Sequence, residues 1–189
     1  MPNADIDIVF GSNAHTLLSD ETRNALGDLR LRQAGDQRHM TPVGIIGPRE
    51  ASTVQLDTAE IIAYLLARAD ISLVCGGKGG VMEAAARGAR KGHGLIIGLL
   101  PEEDANAANR YLSVALPTGM GIMRNALIAR AACCLVAVGG GLGTTSEMAL
   151  GLQWGKPTLT IADAPTLPGA MPFRTVETLM ASLCKLLLA

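Results

Sequence analysis

Five short apolar runs, most of them stopping at a glycine, constrain this chain more than any other feature. They are VGIIG (43–47), ISLVCGG (71–77), GLIIGLLP (94–101), CLVAVGGG (134–141) and KPTLTIA (156–162). Each is continuous and rich in Val, Ile or Leu, as strands of a parallel sheet covered on both faces must be. Between them lie stretches with helical spacing. STVQLDTAEIIAYLLARA opens on Ser52 with Gln55 three residues later, the pattern of a capping box. GVMEAAARGARKG is Ala-rich, and Gly92 at its end is expected at the C′ position. GMGIMRNALIARAA, GTTSEMALGLQWG and the C-terminal TVETLMASLCKLLL complete the series. This alternation specifies a single-domain, doubly wound (Rossmann-like) α/β fold with a mostly parallel sheet and helices on both faces.

The first part of the chain reads differently. DIDIVFG is expected to form a strand, SDETRNALGDLRLRQA a polar helix capped by Ser19 or Asp20, and AGDQRHMTP a loop. Residues 1–41 are therefore expected as a strand–helix extension packed on the same domain, and residues 42–189 as the Rossmann-like, phosphate-ligand-binding domain. The leucines of the last helix, Leu179, Leu183, Leu186 and Leu187, form a stripe that either covers a sheet face or meets a partner.

Composition narrows the function classes. Hydrophobic residues make up 49% of 189 residues, and charged residues 17%, so the chain is globular. Net charge is −1 and aromatics are 3%, which leaves nucleic acid or an anionic membrane without an electrostatic or stacking basis. The N-terminus lacks the pattern of a signal peptide and no apolar run reaches bilayer-spanning length, so a cytoplasmic protein is expected. Cys75, Cys133, Cys134 and Cys184 match no zinc spacing and read as reduced, buried thiols. His15, His39 and His93 are scattered, read as surface residues, and offer no metal site.

Ligands of open α/β sheets bind beyond the carboxyl ends of the strands, where loops enter helices. Three loops fall there: GPREAS (47–52), GGKGGVME (76–83) and GGGLGTTSE (139–147). Glycine admits close backbone approach to an oxyanion, and free N–H groups at a helix start attract it. The candidate ligand- and phosphate-binding residues are thus Gly47, Arg49, Gly76, Gly77, Lys78, Gly79 and Gly80 in the first two loops. From the third they are Gly140, Gly141, Gly143, Thr144, Thr145 and Glu147, joined by Thr118, Gly119, Arg124 and Asn125 from the LPTGMGIMRN stretch. Ser146 adds another hydroxyl. Neither the P-loop nor the Gly-x-Gly-x-x-Gly dinucleotide spacing is present. Arg49 and Lys78 read equally as solvated loop cations, and Arg124 as a surface arginine. Thr144-x-x-Glu147 also has the spacing of a capping box, which would occupy the carboxylate structurally.

Taken together, GGKGGVMEAAARGARKGHGLIIGLLP, LPTGMGIMRNALIARAA and AVGGGLGTTSEMALGLQWGKP resemble the molybdenum-cofactor carrier-like proteins. That group lies in the superfamily of the Lonely Guy cytokinin-activating phosphoribohydrolases, long mislabelled lysine decarboxylases. The resemblance covers roughly residues 42 to 162. It implies a small phosphate-bearing ligand, no tightly required cofactor, and a homo-oligomer, dimer or tetramer. The hydrolase branch has Pro-Gly-Gly-x-Gly-Thr-x-x-Glu in the last loop, after an Arg-Lys pair. This chain keeps Gly140, Gly141, Gly143, Thr144, Glu147 and Arg124, but has Gly139 for the proline, Asn125 for the lysine and Ser146 where a further Glu is frequent.

Two functions follow from the resemblance. One is a binding protein for molybdenum cofactor, a pterin phosphate. The other is a nucleoside 5′-monophosphate phosphoribohydrolase in which Arg124 and Glu147 would be catalytic.

Overall fold

The computed structural model describes residues 18–189. The expected strand in DIDIVFG and His15 lie outside the described residues. Helix α1 (Asp20–Gln33) starts at Ser19, whose side chain accepts from the Thr22 N–H. Then follow β1 (Val43–Ile46), α2 (Thr53–Arg68), β2 (Leu73–Cys75), α3 (Val81–Lys91), β3 (Ile96–Leu100) and β4 (Val114–Pro117). A 3₁₀ turn (Gly121–Arg124) leads into α4 (Asn125–Ala131), followed by β5 (Leu135–Val138), α5 (Leu142–Gln153) and β6 (Thr158–Ile161). A two-residue strand, β7 (Met171–Pro172), and α6 (Val176–Leu188) complete the described chain.

The sheet order is β4-β3-β2-β1-β5-β6-β7 and every pair is parallel. The fold is α/β and Rossmann-like. The chain winds outward from β1 through β2 and β3 to β4, then returns to the other side of β1 as β5. That reversal opens a crevice at the carboxyl ends of β1 and β5. β4 and β7 were not among the expected strands. Both are short edge strands that end in proline, and β4 is largely exposed, so neither carries a buried apolar run.

Alternate strand residues feed two cores, as a period of two requires. Val43, Ile45, Leu73, Val136 and Val138 face α2, α3 and α6 in the larger core. Ile46, Val74, Leu135 and Ala137 face α4 and α5 through Ile128, Ala129 and Met148 in the smaller one. Gly44 and Gly151 let helices close on this thinner side, because a Cβ on either would lie 2.5 to 2.6 Å from a Leu135 methyl. The C-terminal leucine stripe is satisfied within the chain: Leu179, Leu183 and Leu187 are buried in the larger core and Leu186 packs on its border. Glu177 on α6 holds α1 through Ser19 Oγ and Thr22 Oγ1, both at 2.7 Å.

The capping box at Ser52 and Gln55 forms, with reciprocal bonds of 3.0 and 3.3 Å. Gly92 differs from expectation. It caps α3 in a right-handed conformation, and the exposed His93 takes the left-handed position at φ 60°. Gly92 is instead demanded by packing, since a Cβ would stand 2.7 Å from the Ala67 Cβ on α2. Among the described residues, no helix is long and apolar enough to cross a membrane.

Candidate functional site

A cleft of about 460 Å³ opens at the carboxyl ends of β1, β3 and β5. Its floor carries Arg124 and Glu147, only 7% and 6% exposed. Arg124 sits where the 3₁₀ turn becomes α4, so its side chain crosses beneath the 76–80 loop. Nη2 donates to the Gly76 carbonyl at 3.2 Å, and Nη1 reaches Asn125 Oδ1 and, at 3.4 Å, Glu147 Oε1. Its Nε is buried with no hydrogen-bond partner. Gly76 makes this possible: a Cβ there would press into the guanidinium, 3.0 Å from Cζ. Arg124 is therefore not the surface residue its polarity suggested.

Glu147 is likewise not spent on a capping box. Helix α5 begins at Leu142 with Gly141 as its N-cap, one turn before Thr144 could serve as one. No side chain caps this helix, which leaves its first-turn N–H groups for a ligand. Burial pushes the Glu147 carboxyl up to about 7, against the opposing pull of Arg124. The same burial lowers the Arg124 guanidinium.

Among the expected site residues, Gly47, Arg49, Arg124, Asn125, Gly141, Gly143, Thr144 and Glu147 line the cleft. Pro48, Met82, Pro101 and Ile122, which lie within the quoted stretches but were not among the candidate residues, join them as apolar walls. The remaining expected residues support the walls from behind. Gly80 caps α3 at φ 67°, with the Pro48 and Arg49 carbonyls packed where a Cβ would be. Its neighbour Val81 donates its N–H to Pro48 at 3.0 Å. Lys78 is not solvated: it is 9% exposed and paired with Glu102. Gly77 is held by Asn109, whose Nδ2 also reaches the Lys78 carbonyl at 3.1 Å. Thr118 Oγ1 donates to Leu100 at 2.7 Å, which fixes the turn through Gly119. Thr145 Oγ1 returns to the Gly141 carbonyl at 2.9 Å, and Gly79 and Gly140 are half-buried in their loops. Arg49 is the exposed cation at the rim.

Positions at which the chain departs from the hydrolase pattern have physical reasons. Gly139 has φ 61° and donates its N–H to Ile161 at 2.9 Å, two things proline cannot do. Asn125 and Ser146 touch each other, Nδ2 to Oγ at 2.9 Å, and Asn125 is buried. Ser146 Oγ in turn donates to Gly143 at 2.7 Å. A neutral hydrogen-bonded pair thus ties α4 to the start of α5.

Two further expectations shift. His39 is half-buried against the Leu187 carbonyl, and Cys133 is only partly covered, while Cys75, Cys134 and Cys184 are buried. Among the described residues, no group of three or more His, Cys, Asp or Glu is placed to hold a metal ion.

The fold and cleft define a Rossmann-like α/β protein in which glycine loops and a buried Arg–Glu pair converge at the switch point of the sheet. The chain belongs to the SLOG cluster4 family, which it matches over residues 40–181. An uncharacterized protein of Archaeoglobus fulgidus is 35% identical over 135 residues, spanning 71% of this chain and 89% of that one. Among solved structures, the molybdenum cofactor binding protein of the phototrophic bacterium Rippkaea orientalis is 30% identical with a TM-score of 0.73. That likeness covers 80% of this chain and 100% of the other. The molybdenum cofactor carrier protein of Chlamydomonas reinhardtii is 28% identical with a TM-score of 0.72, over 79% and 99% of the two chains. DNA processing protein A of Helicobacter pylori shares the fold at 19% identity and a TM-score of 0.62, over 77% and 81%.

Proposed function

We propose that this chain is a carrier-like binding protein for a phosphorylated heterocycle, with molybdenum cofactor as the ligand. The observation that carries this reading is the convergence of the buried Arg124 guanidinium and the uncapped start of α5 on one cleft. The guanidinium gives the cleft a positive charge that suits an anionic ligand. The uncapped start of α5 would take the phosphate. Met82 and Ile122 offer apolar surface to a flat ring system, and Glu147 an acceptor for its N–H edge. Holding would act on phosphate and ring, so molybdenum would travel as part of the cargo. The likeness to molybdenum cofactor proteins at 28% and 30% identity supports the same ligand.

A second reading has its own support. Glu147 is free of a capping role, lies in the cleft, and has a carboxyl pushed up to about 7, a suitable value for a general acid–base group. In a phosphoribohydrolase it would act on the ribose of a nucleoside monophosphate while Arg124 oriented the ligand.

Calorimetry with pterin phosphate, run beside base release from a panel of nucleoside monophosphates on wild type and Glu147→Gln, separates the two. A carrier binds the pterin and releases no base in either wild type or variant. Robust base release that falls at least about a hundredfold in Glu147→Gln would overturn the carrier reading.

A further inference from the structure

The cleft does not stand alone at this end of the sheet. Gly47, Pro48 and Arg49 of the GPREAS loop line it, and Arg49 and Ala51 also line a second cavity of about 280 Å³. Leu56 in the first turn of α2, Gly80 at the cap of α3, and Glu83 and Arg87 on α3 complete that second space. Gly80 lets the loop settle on α3, because the Pro48 and Arg49 carbonyls occupy the place of a Cβ. The bond from the Val81 N–H to Pro48 and the Ser52–Gln55 capping box hold the loop at either end. The two spaces therefore meet at Arg49, an exposed cation on a fixed ridge.

Glu83 and Arg87 stand one turn apart on α3 and share a face of it. Arg87 is pinned: its Nε donates to Glu60 Oε2 at 2.8 Å, joined by Nη2, while Lys91 reaches Glu60 Oε1 at 2.6 Å. A planar guanidinium held this way keeps its remaining N–H groups in a fixed direction. The carboxylates of Glu60 and Glu83 offset the cations of Arg87 and Lys91, so this cluster has no surplus charge to draw an anion. The cavity offers an acceptor at Glu83, a donor at Arg87 and apolar surface at Ala51 and Leu56. Those are the needs of a neutral flat ring with a donor–acceptor edge. Arg49, at the junction, suits a phosphate instead.

We propose that the second cavity is a nucleoside subsite, and that the ligand is of the dinucleotide class, two heterocycles joined through a diphosphate. This rests on the carrier reading, with the pterin in the main cleft. One phosphate then sits at the uncapped start of α5 and the next at Arg49, where the ligand crosses the ridge. The second base lies on Ala51 and Leu56. Its exocyclic amino group donates to Glu83, and a ring nitrogen accepts from Arg87.

Calorimetry on the wild-type chain compares three probes: hydroxymethylpterin phosphate, hydroxymethylpterin diphosphate, and that diphosphate extended by adenosine. The diphosphate should bind more tightly than the monophosphate, and the adenosine conjugate at least about tenfold more tightly than the diphosphate. Glu83→Ala should lose most of the conjugate's advantage while holding the monophosphate within about twofold of wild type, since Glu83 does not line the main cleft. A conjugate no tighter than the diphosphate would overturn the subsite and leave the carrier reading standing on the monophosphate. An advantage untouched by Glu83→Ala would put the nucleoside elsewhere and overturn the assignment as well. Failure of the monophosphate itself to bind would strike the carrier reading, and the subsite with it.

Discussion

Arg124 Nη1 stands 3.4 Å from Glu147 Oε1 beneath the cleft, in a pair that leaves the arginine Nε unsatisfied. Charge-assisted bonds of this kind are normally shorter, at roughly 2.7–2.9 Å. The two side chains neutralise each other only loosely. The guanidinium therefore has capacity left for a ligand.

Arg124→Lys tests that capacity. Lysine keeps the charge, but its single ammonium cannot reproduce the contacts to Gly76, Asn125 and Glu147 that fix the charge in the cleft. Affinity for a phosphorylated heterocycle should fall about ten- to a hundredfold, or roughly 1.4 to 3 kcal/mol. Calorimetric titration checks it, and unchanged affinity would remove Arg124 from the ligand.

Glu147 makes stability depend on pH in an unusual direction. Its folded-state value of about 7 lies above the ordinary 4.5, so between these the folded chain binds more protons than the unfolded one. Its contribution is present below about pH 4.5 and lost as pH rises towards 7, a change of about 3 kcal/mol at full extent. Glu60, Glu102 and Glu177, held low by their partners, act in the opposite sense in wild type and variant alike. The difference in unfolding free energy between Glu147→Gln and wild type should therefore grow in favour of the variant from pH 4.5 to 8. Urea titrations at the two pH values measure it, and a constant difference would show that Glu147 ionises normally.

Restoring the hydrolase-type proline should fail structurally. Gly139→Pro would force φ from 61° to about −65° and delete the N–H that Ile161 accepts. A loss of at least about 3 kcal/mol is expected. A thermal or chemical melt matching wild type would mean that the loop adopts another path.

The Asn125–Ser146 contact predicts coupled substitutions. Asn125→Lys alone places a charge at a 7%-exposed position and should cost about 3 kcal/mol or more. Ser146→Glu introduced with it supplies a counter-charge, and the double-mutant cycle should return at least about 1 kcal/mol of favourable coupling. Additive losses would show that these positions do not communicate.

The frame of this protein was legible because parallel strands buried on both faces are continuous apolar runs, as β1, β2, β3 and β5 are, while β6 carries Leu159 and Ile161 alternating with two buried threonines. β4 and β7 escaped because edge strands need no such run. Most of the cleft's polar residues were marked by glycine and hydroxyl motifs, but their surroundings were not. The burial of Arg124 depends on Gly76, 48 positions away in sequence, and the Asn109 clamp on a loop more than thirty residues distant carries no local pattern. Thr144-x-x-Glu147 misled because spacing alone cannot tell where a helix begins. The glycines before Thr144 let α5 start at Leu142, and the glutamate went to the cleft.

The central position of β1 has a consequence for how the protein is made. On one side it pairs with β2, and on the other Gly44 registers with Leu135, which leaves the ribosome some ninety residues later. During synthesis that second edge of β1 stays open, and the chain cannot close until β5 threads in beside it, a slow, high-contact-order step. Arg124 and Glu147 flank β5 in sequence, so the cleft comes into being only with this late closure. A ligand that fills it would act as a folding seal, retaining finished chains and passing over half-made ones.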